Sequence, residues 1–249
     1  MRYGLLGPVE IWAAGQVGTV DRPLRRAVLA YLLLDPNRVV SVERLTDAIW
    51  GPVAPSSAVA QLRSGGFRVR QVLREADLGA ALATRSGGYQ LTVDDGALDL
   101  DVFRAHVAQA GAAAAGGRHP EAADASRAAQ PLWRGPALSG TAAGFVEAVR
   151  ARLDYQDLGT HEELIDCELA LGRHAEVLAE LQALVDAHPL RERSSMQLML
   201  ALYRAGRQAD AFDAFHRLRA ALASRATGPC GKWRAAWRPA RRRRRPTGE

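Results

Sequence analysis

Lysine is almost missing from these 249 residues: Lys232 is the only one, so arginine carries the basic charge. Cysteine is nearly as scarce, with two residues, and Cys167 and Cys230 lie in different segments and make no metal-binding pair. No apolar run approaches the roughly 20 residues that a membrane helix needs. The opening, MRYGLLGPVEIW, holds one arginine and an early Gly7-Pro8 break, and does not read as a secretory signal. Walker-type GxxxxGK[ST], HExxH and GxSxG motifs are all missing. The six histidines (106, 119, 161, 174, 188 and 216) are scattered and form no close ligand pair with one another or with cysteine. These gaps predict a soluble cytoplasmic protein with no metal, no cofactor and no enzymatic activity. His161-Glu162-Glu163 and Asp166 read as exposed helix residues, and His174 as structural.

What is present is an apolar content of 48%, enough for folded cores in two domains. The net charge of +6 is unevenly spread. Residues 225–249 hold nine basic side chains and one acid, residues 1–95 hold 11 and 9, and residues 96–224 hold 13 and 17. The basic balance therefore belongs to the tail and says nothing about nucleic-acid binding by the body of the chain.

Short strands are expected at Arg2–Leu6, Val9–Trp12 and Val17–Val20, separated by Gly7-Pro8 and Gly15. Helical periodicity follows, with Asp21 and Pro23 at the start and Leu24, Ala27, Val28, Tyr31 and Leu32 on one face. Ser41 suits the N-cap of a second helix whose apolar face is Val42, Leu45 and Ile49. Ser56 or Ser57 caps a third, which runs to about Arg74 and contains no acid. At about 100° per residue, Arg63, Arg70 and Arg74 fall within roughly 40° of one another, with Leu62, Val69 and Leu73 on a face about 100° away. Such a helix packs inward while presenting guanidinium groups to phosphates and guanine edges; a solvated basic face is the other reading. Leu82–Arg85 and Tyr89–Val93, around Ser86-Gly87-Gly88, read as a β-hairpin.

Beyond residue 96 the pattern is helical and rich in alanine. A phrase recurs at Gly117-Arg118-His119, Gly172-Arg173-His174 and Gly206-Arg207-Gln208. The last two glycines are 34 residues apart, the tetratricopeptide period. The first interval, 55 residues, contains an insertion around Leu132–Leu138, with Trp133 as its anchor. Helix pairs are predicted at 160–171 with 174–187 and at 192–205 with 208–222. Tyr203, Phe212 and Phe215 are assigned to the core.

The runs YGLLGPVEI (3–11), RRAVLAYLLLDPNRVVSVERLTDAIWG (25–51) and TRSGGYQL (84–91) resemble the OmpR-type winged-helix domain of the SARP family of antibiotic pathway regulators. LDLDVF (98–103), LWRGPAL (132–138) and the repeat region 168–212 resemble the bacterial transcriptional activator domain that follows it. The resemblance implies a mainly α protein: a winged helix-turn-helix domain at 1–95, with short β-strands and a wing hairpin, then a TPR-like helical domain at 96–224. It implies a transcriptional activator of a secondary-metabolite cluster, associated with the nucleoid. As partners it implies double-stranded DNA at promoter direct repeats, RNA polymerase and a second copy of the chain, with no membrane. Arg63, Arg68, Arg70 and Arg74 are candidate DNA contacts in the helix at 56–74, and Arg85 in the wing. Arg68 and Arg70 match the family's arginine positions; Arg63 and Arg74 rest on face geometry.

Two departures stand out. Family members usually place β-branched or aromatic residues where this chain has Gly65-Gly66. Each glycine costs up to ~1 kcal/mol in a helix interior, which predicts a kink or fraying and a weakened DNA reader. On that basis the alternative function is a TPR-like protein-interaction scaffold. The other departure is the arginine-rich tail, 225–249. GC-rich codons for Thr227 to Trp233, regrouped out of frame, read as the family's usual continuation, so the tail is taken as a frameshift product. A genuine basic arm, Arg241–Arg245, is the competing reading.

Overall fold

The computed structural model describes residues 2–13, 16–76, 78 and 81–226. The tail from residue 227, with its two competing readings, lies outside the described residues. The chain opens as a small antiparallel sheet of β1 (Tyr3–Gly4), β2 (Glu10–Ala13) and β3 (Gln16–Thr19), in that order. β1 is shorter than its alternation predicts because Leu5 and Leu6 leave the ladder. Their amides donate instead to the buried carboxylate of Asp99, at 2.8 and 3.0 Å from Leu5 and 3.0 Å from Leu6.

Pro23 starts α1 (Pro23–Leu34), where its missing N–H has no helical partner to lose. Leu29, Ala30 and Leu33 are buried along with the predicted Ala27, Val28 and Leu32, so α1 is enclosed on most sides, while Leu24 and Tyr31 are half-buried. β4 (Val39–Ser41) is a strand that three residues between a turn and a helix cap gave no periodicity to reveal. Ser41 ends it and caps α2 (Val42–Trp50), its hydroxyl accepting from the Arg44 amide at 3.1 Å. α3 (Ala58–Glu75) comes next, with Ser57 at its N-cap position but making no side-chain capping bond. β5 (Leu82–Arg85) and β6 (Gly88–Leu91) form the expected hairpin, and β4 joins it in the order β4-β6-β5. Gly88 belongs to the strand and not to the turn, because the Val40 carbonyl backs against the site where a Cβ would stand.

The helical region comprises α4 (Asp99–Ala115), α5 (His119–Ala129), α6 (Val146–Ala170), α7 (Leu178–Ala187), α8 (Glu192–Arg204) and α9 (Gln208–Ala226). The recurring phrase occupies the turns after α4, α6 and α8. In each, the glycine has positive φ (71°, 82° and 78°), and the following arginine amide bonds the carbonyl five residues back. Arg118 donates to Ala113, Arg173 to Glu168 and Arg207 to Leu202, at 2.9 to 3.0 Å, the pattern of a Schellman cap. α7 begins four residues later than predicted, after a turn at 174–177.

Two compact units divide the chain at Cys167 and Glu168. In the first, one apolar core runs from Leu5, Leu29, Leu62 and Leu91 to Leu98, Leu100 and Phe103 of α4, and on to Leu138 and Leu153. Packing therefore does not divide at the expected 95/96 boundary, because α4 supplies part of the winged-helix core. Trp133 anchors the insertion edge-on to Phe103, with ring centroids 5.6 Å apart. Glu162, expected on an exposed face, is fully buried, and Glu163 is half-buried. α6 is enclosed on more than one side there, with Leu164 and Cys167 packed against Ala113, Ala122 and Ala123.

In the second unit Leu181, Leu198, Ala201, Leu202 and Ala214 are buried. The three aromatic residues assigned to the core are not among them: Tyr203, Phe212 and Phe215 are 61%, 68% and 46% exposed. The buried stripe of α8 ends at Leu202, and Ala214 is the point at which α9 is buried. Phe212 and Phe215 lie about 200° and 100° around the helix from it.

Candidate nucleic-acid interface

α3 is held against the first unit's core by Leu62, Val69 and Leu73, all fully buried. Gly65 and Gly66 lie on the buried side, and the helix runs unbroken across them, so the predicted kink is not there. Tyr89 of β6 supplies the reason. A Cβ on Gly66 would stand 2.9 Å from Tyr89 Cε1 and 3.0 Å from Cζ, so the tyrosine ring fills the volume a side chain would take. Gly65 is less confined, its nearest neighbour being Val28 Cγ2 at 3.9 Å from an added Cβ. The glycine pair is a notch for the wing tyrosine and not a gap in the core.

The outer face is cationic. Arg63, Arg68 and Arg74 are exposed and Arg70 half-buried, with no acid from Ser56 to Arg74. The four are not equivalent. Arg70 reaches across to the wing, donating from Nε to the Leu82 carbonyl at 3.0 Å and from a terminal nitrogen to Thr84 Oγ1 at 2.8 Å. It joins helix to hairpin as well as lying near the arginine face. Arg68 donates to Gln71 Oε1 at 2.8 Å and points away from the other three. Arg63 and Arg74 share one face and have no hydrogen-bond or ion-pair partner among the described residues. In the wing, Arg85 donates to Gln90 Oε1 at 2.9 Å, and Gln90 donates in turn to the Asn37 carbonyl.

Sequence reasoning passed over Phe67, which is 53% exposed and lies about 40° from Arg63. The signal was there: the spacing that groups the arginines places Phe67 among them. Val59, 42% exposed, lies about as far on the other side of Arg63. Among the described residues no cluster of histidine, cysteine and carboxylate side chains is able to hold a metal ion, and no helix is long and apolar enough to cross a membrane.

An exposed arginine-bearing helix braced by a β-hairpin, leading into helical hairpins with identical caps, defines a winged helix-turn-helix protein with a TPR-like helical region. Residues 98–233 match the family model described as "Bacterial transcriptional activator domain". The chain is 41% identical over 224 residues to "Regulatory protein AfsR" of Streptomyces coelicolor, covering 90% of this chain and 22% of that protein. To "Regulatory protein DnrI" of Streptomyces peucetius it is 36% identical over 231 residues, covering 89% of this chain and 85% of the relative. The solved structure of Mycobacterium tuberculosis EmbR in complex with a low affinity phosphopeptide superposes with a TM-score of 0.85 at 37% identity. That match covers 90% of this chain and 60% of EmbR, so the chain spans only part of the longer relatives, AfsR and EmbR. The chain belongs to the SARP family of transcriptional regulators, and it is not an enzyme.

Proposed function

We propose that the chain is a DNA-binding transcriptional activator whose α3 enters a major groove. Arg63, Arg70 and Arg74 then face phosphates and guanine edges, Arg68, on another side of the helix, reaches phosphate at the groove wall, and Arg85 in the wing meets phosphate or the minor groove. The family resemblance extends the proposal to promoter direct repeats, a dimer or side-by-side pair, recruitment of RNA polymerase and a secondary-metabolite gene cluster. One observation carries the reading: α3 is continuous and presents an acid-free arginine face, because Tyr89 fills the notch at Gly66.

The test titrates the purified chain with its preferred duplex from a random pool, against salt and random competitor. A chain ending at Ala226 runs alongside. The expected result is binding that survives competitor and truncation. Arg63→Ala and Arg74→Ala each weaken it and reduce the slope of log affinity against log salt by about 1 where the contact is to phosphate, with melting unchanged. Arg70→Ala weakens binding and also lowers the melting temperature, since both bonds to β5 are lost. Full competition by random duplex, or loss of all affinity with the tail, would sink the proposal.

The scaffold reading has an observation of its own. In the second unit a groove of about 500 Å³ is lined by Leu178, Ala179, Gln182, Leu198, Leu202 and Arg217 among others. Met196, Leu200 and Tyr203 are exposed along α8. Helical repeats bind peptides in such grooves, and this reading leads if the chain shows no sequence preference for DNA.

A further inference from the structure

Phe67 is the large side chain on α3 that neither the core nor charge accounts for. It is 53% exposed, whereas the adjacent Gly66 faces inward beneath Tyr89. Around the helix it lies about 40° from Arg63 and about 20° from Arg74. Its ring is steadied by Arg68, whose guanidinium carbon stands 6.0 Å from the ring centroid. An aromatic ring among guanidinium groups matches few partners. An apolar protein surface would have to bury Arg63 and Arg74 without counter-charges, which is costly. The major groove of DNA offers both complements, since phosphates line its walls and the 5-methyl group of thymine is the one apolar feature on its floor.

We infer that Phe67 contacts a thymine 5-methyl group in the major groove and sets a preference for thymine at the base pair beneath the middle of α3. The inference rests on the proposed DNA-binding function and adds to it the base, the atom and the residue. Arg63 and Arg74 hold the helix to phosphate or guanine on either side, while Phe67 replaces water over the methyl group. The gain is that of burying one methyl group against an aromatic face, which corresponds to a selectivity of about three- to fivefold.

The experiment uses the full chain and its preferred duplex from a random pool. Each thymine is replaced in turn by deoxyuridine, which removes the methyl group and leaves pairing intact. Affinities are measured for the wild type, Phe67→Ala and Phe67→Leu, with unfolding curves to show that the variants fold. The expected result is one thymine per half-site at which deoxyuridine weakens the wild type about three- to fivefold. Phe67→Ala should bind more weakly and be indifferent to deoxyuridine at that position, a non-additive cycle that places ring and methyl in contact. Phe67→Leu should keep part of the discrimination. Specific binding with no sensitive thymine overturns the inference and leaves the DNA-binding proposal standing. The same holds if the sensitivity persists in Phe67→Ala. If the wild type shows no sequence preference, both fall together.

Discussion

Tyr89 and Gly66 form a complementary pair, ring against notch, in which each residue makes sense only with the other. A methyl group added at Gly66 meets ring carbons at 2.9 to 3.0 Å, inside van der Waals contact, while one added at Gly65 meets Val28 at 3.9 Å. The two positions have similar helix propensity deficits but opposite room. Gly65→Ala is therefore expected to stabilise the chain by up to ~1 kcal/mol through propensity alone. Gly66→Ala gains the same term but overpacks a well-filled site, at a cost of about 1–3 kcal/mol, and is expected to be net destabilising. Urea denaturation of the two variants checks the pair; equal shifts for both would show that Tyr89 yields freely.

At the scale of elements, one buried carboxylate ties together three segments that also share the apolar core. Asp99, the first residue of α4, is fully buried and accepts from the Leu5 and Leu6 amides just beyond β1. Arg134, in the loop before α6, bonds Asp99 at 3.0 Å and approaches Glu10 of β2 at 3.4 Å, and its guanidinium lies 4.6 Å from the Trp12 ring centre. The same loop pairs its backbone with the 5–7 segment, Arg134 donating to Leu6 and Leu138 to Leu5. The acid of the run 98–103 and the arginine of the run 132–138 thus close one clamp over the N-terminal sheet. Arg134→Ala leaves Asp99 buried with two amides but no counter-charge, and is expected to cost about 3 kcal/mol in equilibrium unfolding. Arg134→Lys should recover little, since a point charge lacks the planar fork that serves two carboxylates and stacks on Trp12. A loss within ~0.5 kcal/mol for Arg134→Ala would show the clamp to be incidental.

At the scale of the whole molecule, the family domain that begins at residue 98 and the packing unit that ends at Cys167 do not coincide. α4 carries the first residues of the activator domain, yet Leu98, Leu100 and Phe103 belong to the core that also holds Leu5, Leu29 and Leu62. A fragment of residues 1–95 lacks those side chains and leaves the Leu5 and Leu6 amides without Asp99. It is expected to unfold at a lower urea concentration than a fragment of residues 1–170, which keeps α4 to α6. Matching midpoints would show that the winged helix stands without α4 to α6.

Local signals carried most of the elements. The Ser41 cap, the Pro23 start, the three glycine turns and the arginine face of α3 all depend on residues within a turn or two of one another, and the chain alone determined them. What only the tertiary structure decided lies further apart in sequence. Gly66 meets Tyr89, and Leu5 meets Asp99, across spans that no periodicity encodes. The same limit explains why β4 went unseen, and why Glu162 proved buried while Phe212 and Phe215 proved exposed. Periodicity tells which residues share a face, but the burial of that face depends on which neighbour arrives to cover it. On α3 that distinction separates the notch at Gly66 from the exposed ring of Phe67, one residue further along the helix.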